Sequence, residues 1–193
     1  MYWFLLPLVA GLVFHAASAF TSLFSRRLGQ RRGQTLSAVL RNLLGIPLWA
    51  SGFVLALRAR SALLFQGTVL VDMAAWLLIL CGSFLVVSGL WALRGIAAAP
   101  SMEDRLVRHG IYAHVRHPIH AGTLLEFAGL TLLTPTGAAW LALALGTAWV
   151  FAQTRLEEAD LLQRAPGYAE YIQQVPCFVP RLCSREANYG RSR

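Results

Sequence analysis

The chain has 193 residues, of which 56% are apolar and only 13% charged, with a net charge of +8. That charged share is about half the roughly 25% of soluble domains, too little to cover a water-facing surface, so the chain reads as an integral membrane protein. Nor does the charge point to nucleic acid: all 17 basic residues are arginine, clustered between apolar stretches as headgroup-contacting segments are.

Three apolar windows come first, at about residues 2–24, 36–57 and 68–93. Each is long enough to cross roughly 30 Å of hydrocarbon at about 1.5 Å per residue. The first ends in HAASAF, with Ala17 and Ala19 spaced like a cleavage site. No basic residue precedes it and RRLGQRR follows at once, so an uncleaved helix with its N-terminus outside is expected. A fourth apolar region, about 121–152, is too long for one upright helix and is interrupted by TPTG at 134–137. Proline removes a backbone donor there and glycine permits a reversal, which predicts a helical hairpin. Each apolar arm is only about 13 to 15 residues, or roughly 20 Å, so the arms must lengthen into polar flanks or stop short of the far face. The fold expected is all-α: a polytopic membrane bundle of about five transmembrane helices, three spans plus the hairpin.

Arginine placement orients this bundle. Five arginines lie in 25–41, four in the 94–118 link and six from residue 155 onward, against two, Arg58 and Arg60, between the second and third helices. The positive-inside rule puts the first loop, the link and the tail in the cytoplasm, and both ends of the hairpin meet on that side. After the fifth helix, Leu156, Ala159, Leu161 and Leu162 make a helical stripe that Pro166 and Gly167 end. A short amphipathic piece follows over 168–175, stopped by Pro176 and again by Pro180, and the tail is expected to fold against the cytoplasmic face. One domain is expected over 1–193, made of three N-terminal helices (1–93), a cofactor-binding link, hairpin and tail (94–182), and a loose polar end (183–193). Cys81, Cys177 and Cys183 show no CxxC pair and no histidine at zinc spacing, which implies neither a disulfide framework nor a metal site.

Two polar groups compete for a chemical role. The run RHPIH at 116–120 stands at the entry of the fourth helix, where proline suits the first turn and bases at a helix end often only anchor to headgroups. The pair Glu157–Glu158 stands one step past Arg155 and alone reads as a solvated helix face. The hairpin brings the two groups to one place, which raises the weight of both. Glu126, two turns into the fourth helix, is costly in lipid; it is either an acceptor-side carboxylate or the partner of a neighbouring helix. Asp72 reads as interfacial and His15 as a packed or hydrogen-bonded histidine.

The pattern LVRHGIYAHVRHPIHAG, then an apolar hairpin, then EEADLLQRAPGYAEYIQQVPCFVPRL resembles the superfamily of isoprenylcysteine carboxyl methyltransferases and phospholipid methyltransferases, over about residues 106–182. That resemblance implies an integral membrane enzyme using S-adenosyl-L-methionine. It implies a cofactor-facing link of Gly110, Tyr112, Arg116, His117, Pro118 and His120, with Glu157 and Glu158 holding the cofactor and Tyr168 and Tyr171 bracing the tail. Arg155 and Glu158 are the expected catalytic groups, the first to position an acidic acceptor and the second to take a proton from an amine. Glu126, Tyr168 and Tyr171 are expected on the acceptor side. The chain departs from the family pattern at Ile111, where the family has proline, at His120, where it has tyrosine, and at Ala165–Pro166 before the tail glycine. An imidazole at 120 titrates near neutrality where a phenol does not.

The chemistry agrees with the resemblance. A sulfonium and an α-ammonium call for carboxylates or aromatics, and an α-carboxylate for a guanidinium. No G-x-G-x-x-G and no βαβ pattern offers the soluble alternative. The acceptor is expected to be lipophilic, reached sideways from the bilayer, with carboxyl O-methylation of an isoprenylcysteine-like substrate favoured and N-methylation of a phospholipid or lipid amine open. A nicotinamide-dependent, sterol-reductase-like enzyme and a non-enzymatic scaffold binding anionic lipid are the alternatives. A bacterial inner membrane is the expected location, with membrane lipids and no nucleic acid as partners.

Overall fold

The computed structural model describes residues 2–94, 101–102 and 104–180; the loose end expected at 183–193 and Cys183 lie outside the described residues. Among the described residues, eight α-helices run in chain order: α1 Leu5–Ser18, α2 Thr21–Leu28, α3 Gln30–Ala38, α4 Ile46–Arg58, α5 Val69–Leu93, α6 Pro118–Leu133, α7 Gly137–Arg164 and α8 Tyr168–Gln174. A π-helical segment, Val39–Gly45, joins α3 to α4 without a break, and a 3₁₀ turn, Gly110–Ala113, precedes α6. Three helices are long and apolar enough to cross a membrane: Gln30–Arg58, Val69–Leu93 and Gly137–Arg164; the bent pair α1 and α2 makes a fourth if taken as one span. With the shorter apolar α6, this is the architecture of a polytopic helical membrane protein.

Two expectations need correcting. The first apolar window is not one helix: it breaks at Ala19–Phe20, and α1 and α2 diverge by 65°. The arginine-rich stretch at 25–41 is not a loop. It folds as α2, a turn at Gly29 (φ 84°) and α3, and Gly33 presses against the backbone of Phe24 and Ser25. Only glycine enters the left-handed region at Gly29 without strain.

The hairpin forms where TPTG interrupts the apolar region. Thr136 caps α7, its hydroxyl accepting from the Ala139 N–H at 3.3 Å. The tip is tied to the connection between α4 and α5 by Leu64 N–H to Pro135 O at 2.8 Å and Gly137 N–H to Ala62 O at 3.0 Å. The two arms solve the length problem differently. α6 keeps 16 residues, about 24 Å, whereas α7 runs 28 residues, about 42 Å, by continuing through its polar Arg155–Arg164 stretch.

Close packing rests on small residues. On α5 the buried positions are Ala75, Gly82 and Gly89, and they meet Gly129, Gly122 and Ile119 of α6. A Cβ added at Gly82 would lie 2.6 Å from the Gly122 carbonyl oxygen, so the two backbones touch as small-residue interfaces in lipid allow. Much of the rest of α5, including Leu77, Leu80, Phe84 and Val87, is exposed, as a lipid-facing surface should be. The apolar core lies on the other side of the hairpin, where Phe4, Leu8, Phe53, Phe127, Trp149 and Val150 join α1, α4, α6 and α7.

Candidate functional site

Pro118 occupies the first turn of α6, which leaves His117 as its N-cap and sets the end of the apolar arm. Just before it, the 3₁₀ turn opens on Gly110 at φ +61° and buries Tyr112. The tail then lies along this link. Arg116 N–H donates to Pro176 O at 2.9 Å, His117 N–H to Cys177 O at 3.0 Å, and the Tyr171 hydroxyl to Tyr112 O at 2.6 Å. Arg108 reaches Gly167 O and lies over the Tyr171 ring, 5.7 Å from its centre. A second apolar cluster of Ala165, Tyr168, Tyr171 and Val175 backs the arrangement.

α7 delivers two carboxylates in opposite roles, because neighbouring residues on a helix point about 100° apart. Glu158 is buried; its Oε1 accepts from Arg116 Nη2 at 2.8 Å and Nε at 3.1 Å, and lies 3.1 Å from His117 Nε2. Arg116 also donates from Nη1 to Ile172 O at 3.1 Å and to Val175 O, so one guanidinium joins link, α7 and tail. Burial alone would lower the Arg116 pKa; the hydrogen bond and charge of Glu158 outweigh it and leave the pKa raised. Glu157 faces the histidines: Oε1 is 3.8 Å from His120 Nε2 and accepts from Gln153 Nε2 at 2.8 Å, while Oε2 is 4.0 Å from His117 Nδ1.

Arg116, His117, His120 and Glu157 line a cavity of about 380 Å³. Its other walls include the polar side chains of His15, Arg41, Arg105, Tyr112 and Tyr168 and the apolar ones of Trp49, Val86, Leu90, Ile119 and Trp149. Burial pushes the phenols of Tyr112 and Tyr168 well above their usual range and that of Tyr171 up to about 12, so all three stay neutral hydrogen-bond donors.

The expected residues fall into three groups. Tyr112, Arg116, His117, His120, Glu126, Glu157, Tyr168 and Tyr171 line the cavity. Glu158 and Pro118 are buried behind its wall, and Gly110 shapes the turn from an exposed position. Arg155 is exposed and is not among the residues lining the cavity. Glu126 accepts from Ser83 Oγ on α5 at 2.7 Å, so the neighbouring-helix reading describes its partner, although it also borders the cavity.

Sequence reasoning missed Arg41, Trp49 and Trp149 as cavity walls, and Thr154 as the partner of His120. It also missed Asp160, whose Oδ1 accepts from Ser22 N at 2.8 Å and Oγ at 2.6 Å and so ties α2 to α7. A signal for Arg41 existed: it stands inside the apolar window at 36–57, where a charge marks function. The structure adds that it stands in the π-helical segment, a form that recurs at functional sites.

The sequence profile described as phospholipid methyltransferase matches residues 72–168, about half of the chain, from α5 to the start of α8. The cobalt-zinc-cadmium resistance protein CzcN of Cupriavidus metallidurans is 35% identical over 101 residues, 52% of this chain and 46% of the relative. Methanethiol S-methyltransferase 2 of Bradyrhizobium diazoefficiens is 38% identical over 82 residues, 42% of this chain and 31% of the relative. The nickel-cobalt-cadmium resistance protein NccN of Alcaligenes xylosoxydans xylosoxydans is 32% identical over 97 residues, 50% of this chain and 45% of the relative. The matched stretches thus cover less than half the length of each of these relatives. No solved structure matches the chain.

Proposed function

The chain belongs to the phospholipid methyltransferase family, and on that premise we propose that it is an S-adenosylmethionine-dependent integral membrane methyltransferase acting on a lipophilic acceptor. The observation that carries this reading is the cavity itself. At about 380 Å³ it falls in the usual range of small-molecule sites, about 300–1,000 Å³, and both ionisable and apolar side chains line it.

The donor set fits the cofactor. Glu157 offers a carboxylate to the sulfonium or the α-ammonium. Arg41 lines the cavity with no carboxylate within 4 Å among the described residues, which leaves it for the α-carboxylate. The Tyr168 hydroxyl and the Trp149 Nε1–H are buried without a partner, two orphaned donors in cavity-lining residues. Buried polar groups are normally paired, so these two favour a ligand that pairs them.

S-adenosylmethionine, when bound, supplies an electrophilic methyl group on a sulfonium. What remains for the protein is alignment and the exclusion of water. Arg116 and Glu158 lock the link against α7 and the tail; Tyr171 fastens the tail over Tyr112. The apolar lining residues, Val86 and Leu90 of α5 with Ile46 and Trp49 of α4, suit a lipophilic acceptor entering from the bilayer. A carboxylate acceptor is already ionised and needs no base, and Arg105 in the cavity lining suits its charge, so carboxyl O-methylation remains the favoured reaction. The similarity to a methanethiol S-methyltransferase supports a second reading, S-methylation of a lipophilic thiol. The arginine distribution supports an orientation with the hairpin tip outside and the tail in the cytoplasm, and the bacterial sources of the three relatives support an inner-membrane location.

Calorimetry of the detergent-purified chain with S-adenosylhomocysteine, and separately with a nicotinamide dinucleotide, tests the reading. Micromolar binding of the first, weakened in Glu157→Ala and Arg41→Ala, supports it. A folded sample that binds neither, or only the dinucleotide, rejects it. Labelled-methyl transfer to lipids bearing a carboxylate, an amine or a thiol then ranks the acceptors.

A further inference from the structure

His15, in the last turn of α1, has no part in the site as drawn so far, yet its hydrogen bonding fixes one form of its ring. The Trp49 indole Nε1–H donates to His15 Nδ1 at 3.2 Å. An indole nitrogen only donates, so Nδ1 holds a lone pair and the neutral ring carries its hydrogen on Nε2. That Nε2–H meets no acceptor among the described residues, although the residue is only 8% exposed and lines the cavity. A shielded donor without an acceptor is costly, and its place on the cavity wall leaves it to a bound molecule.

The ring is held from several sides. A Cβ added at Gly45 would lie 2.8 Å from His15 Cβ, and one at Gly11 2.1 Å from the Trp49 backbone nitrogen, so α1 lies directly against the π-helical segment and α4. Trp149 packs on the imidazole, 4.9 Å between ring centres. Trp149 in turn meets His120 edge-on at 6.2 Å, and His120 Nε2 lies 3.8 Å from Glu157. His15 thus stands between Trp49, part of the lining that suits a lipophilic acceptor, and the ring that leads to the carboxylate assigned to the cofactor's cationic end.

We propose that His15 selects the acceptor: its Nε2–H donates to an oxygen of a lipophilic carboxylate held beside Trp49. The inference rests on the methyl-transfer reading and narrows it. With Nδ1 occupied by Trp49, the ring takes no proton, so it is no base for a thiol or an ammonium, and an ammonium offers it no lone pair. A carboxylate arrives with lone pairs and is ionised at neutral pH. One carboxylate oxygen accepts from His15 while the other attacks the methyl carbon. The bond from that carbon to sulfur breaks, its electron pair stays on sulfur, and a neutral methyl ester and S-adenosylhomocysteine result. His15 and Trp49 also precede residues 72–168, the stretch matched by the family profile, so acceptor choice is assigned to helices outside the shared stretch.

The detergent-purified full chain is assayed for labelled-methyl transfer from S-adenosylmethionine to dodecanoate, dodecylamine and dodecanethiol, with S-adenosylhomocysteine binding measured alongside by calorimetry. The wild type should favour dodecanoate by at least about tenfold in kcat/KM. His15→Phe keeps a ring against Trp149 and removes the donor. Its KM for dodecanoate should rise about tenfold, with kcat and S-adenosylhomocysteine affinity within about threefold of wild type. His15→Gln, which restores an N–H donor, should recover most of the lost affinity for dodecanoate, a rescue that a packing role does not predict. If His15→Phe does not fold, Trp49→Phe takes its place: it frees the imidazole to turn, and KM for dodecanoate should rise by about threefold or more. The inference is overturned if a wild type that binds S-adenosylhomocysteine favours the amine or the thiol, or methylates none of the three probes. An unchanged KM for dodecanoate in folded His15→Phe, or in Trp49→Phe where that variant replaces it, overturns it as well. A wild type that does not bind S-adenosylhomocysteine removes the methyl-transfer reading itself.

Discussion

Removing Glu158 should unfasten three elements at once. In Glu158→Ala, the Arg116 guanidinium loses both contacts to Oε1, at 2.8 and 3.1 Å, and His117 Nε2 loses its acceptor. The pair is well shielded, with side chains only 10% and 12% exposed, so the loss falls in the buried regime rather than the surface one. Breaking such a pair from one side costs roughly 3–5 kcal/mol, because the remaining charge is left without a partner. Arg116 is not left bare, since the carbonyls of Ile172 and Val175 still accept from it, which brings the expected cost to roughly 2–3 kcal/mol. At about 2–4 °C per kcal/mol for a chain of this size, Tm should fall by roughly 4–12 °C. The assay is thermal unfolding in detergent followed by tryptophan fluorescence, run as a cycle with Arg116→Ala and the double variant. A coupling energy of about 2 kcal/mol is expected, the double variant being little worse than either single one. Strictly additive losses, or a Tm change under about 2 °C in Glu158→Ala, would refute the claim that this pair clamps link, α7 and tail together.

Gly82→Leu drives a side chain into the Gly122 backbone and should sharply lower folded yield and Tm, whereas Leu80→Ala on the exposed face of α5 should change stability by about 0.5 kcal/mol or less, as Tm measurements of both can check. Cys177 is held above the usual thiol range by burial first and by the Glu158 carboxylate second, so its thiolate is scarce at neutral pH. In a Cys81→Ser, Cys183→Ser background, maleimide should label it more slowly than a free cysteine at about pH 8, with a rate still climbing at about pH 9; a plateau at the lower pH would contradict the raised pKa. Arg41→Ala should weaken S-adenosylhomocysteine binding by about tenfold, while Arg155→Ala, outside the cavity, should leave it within about twofold; calorimetry showing the reverse order would move the anion site to the end of α7.

Much of the fold was legible because its punctuation is local. Pro118 starts α6 and TPTG makes the turn whether or not anything else is in place, and Pro166–Gly167 ends α7 for the same reason. The break at Ala19–Phe20 was not legible, since HAASAF carries no proline or glycine and the bend is held from outside, by Asp160 on Ser22. The arginine-rich stretch at 25–41 was misread for a related reason: charge density marks a polar flank but does not distinguish a loop from a pair of short helices turning at Gly29.

The site divides along the same line. Measured from the turn, Glu157 lies about 30 Å along α7, while His117 and His120 lie about 24 and 20 Å along α6, so arithmetic on the sequence brings the carboxylates to within about one to two helical turns of the histidines. Periodicity even assigns the two carboxylates to different neighbours. Gln153, Thr154, Glu157 and Glu158 share one face of α7 at spacings of three to five, and 100° of rotation separates the glutamate that meets Arg116 from the one that meets His120. Arg155, next to that face in sequence, is carried off it by the same rotation. Arg41 reverses the case. It comes from a helix far away in sequence, and the π-helical segment that holds it changes the register of every side chain after it, so no count from a regular helix could have aimed it at the cavity. Where the chain keeps ideal geometry, its site can be counted out in advance; where it departs from that geometry, it places a charge that only the packed bundle reveals.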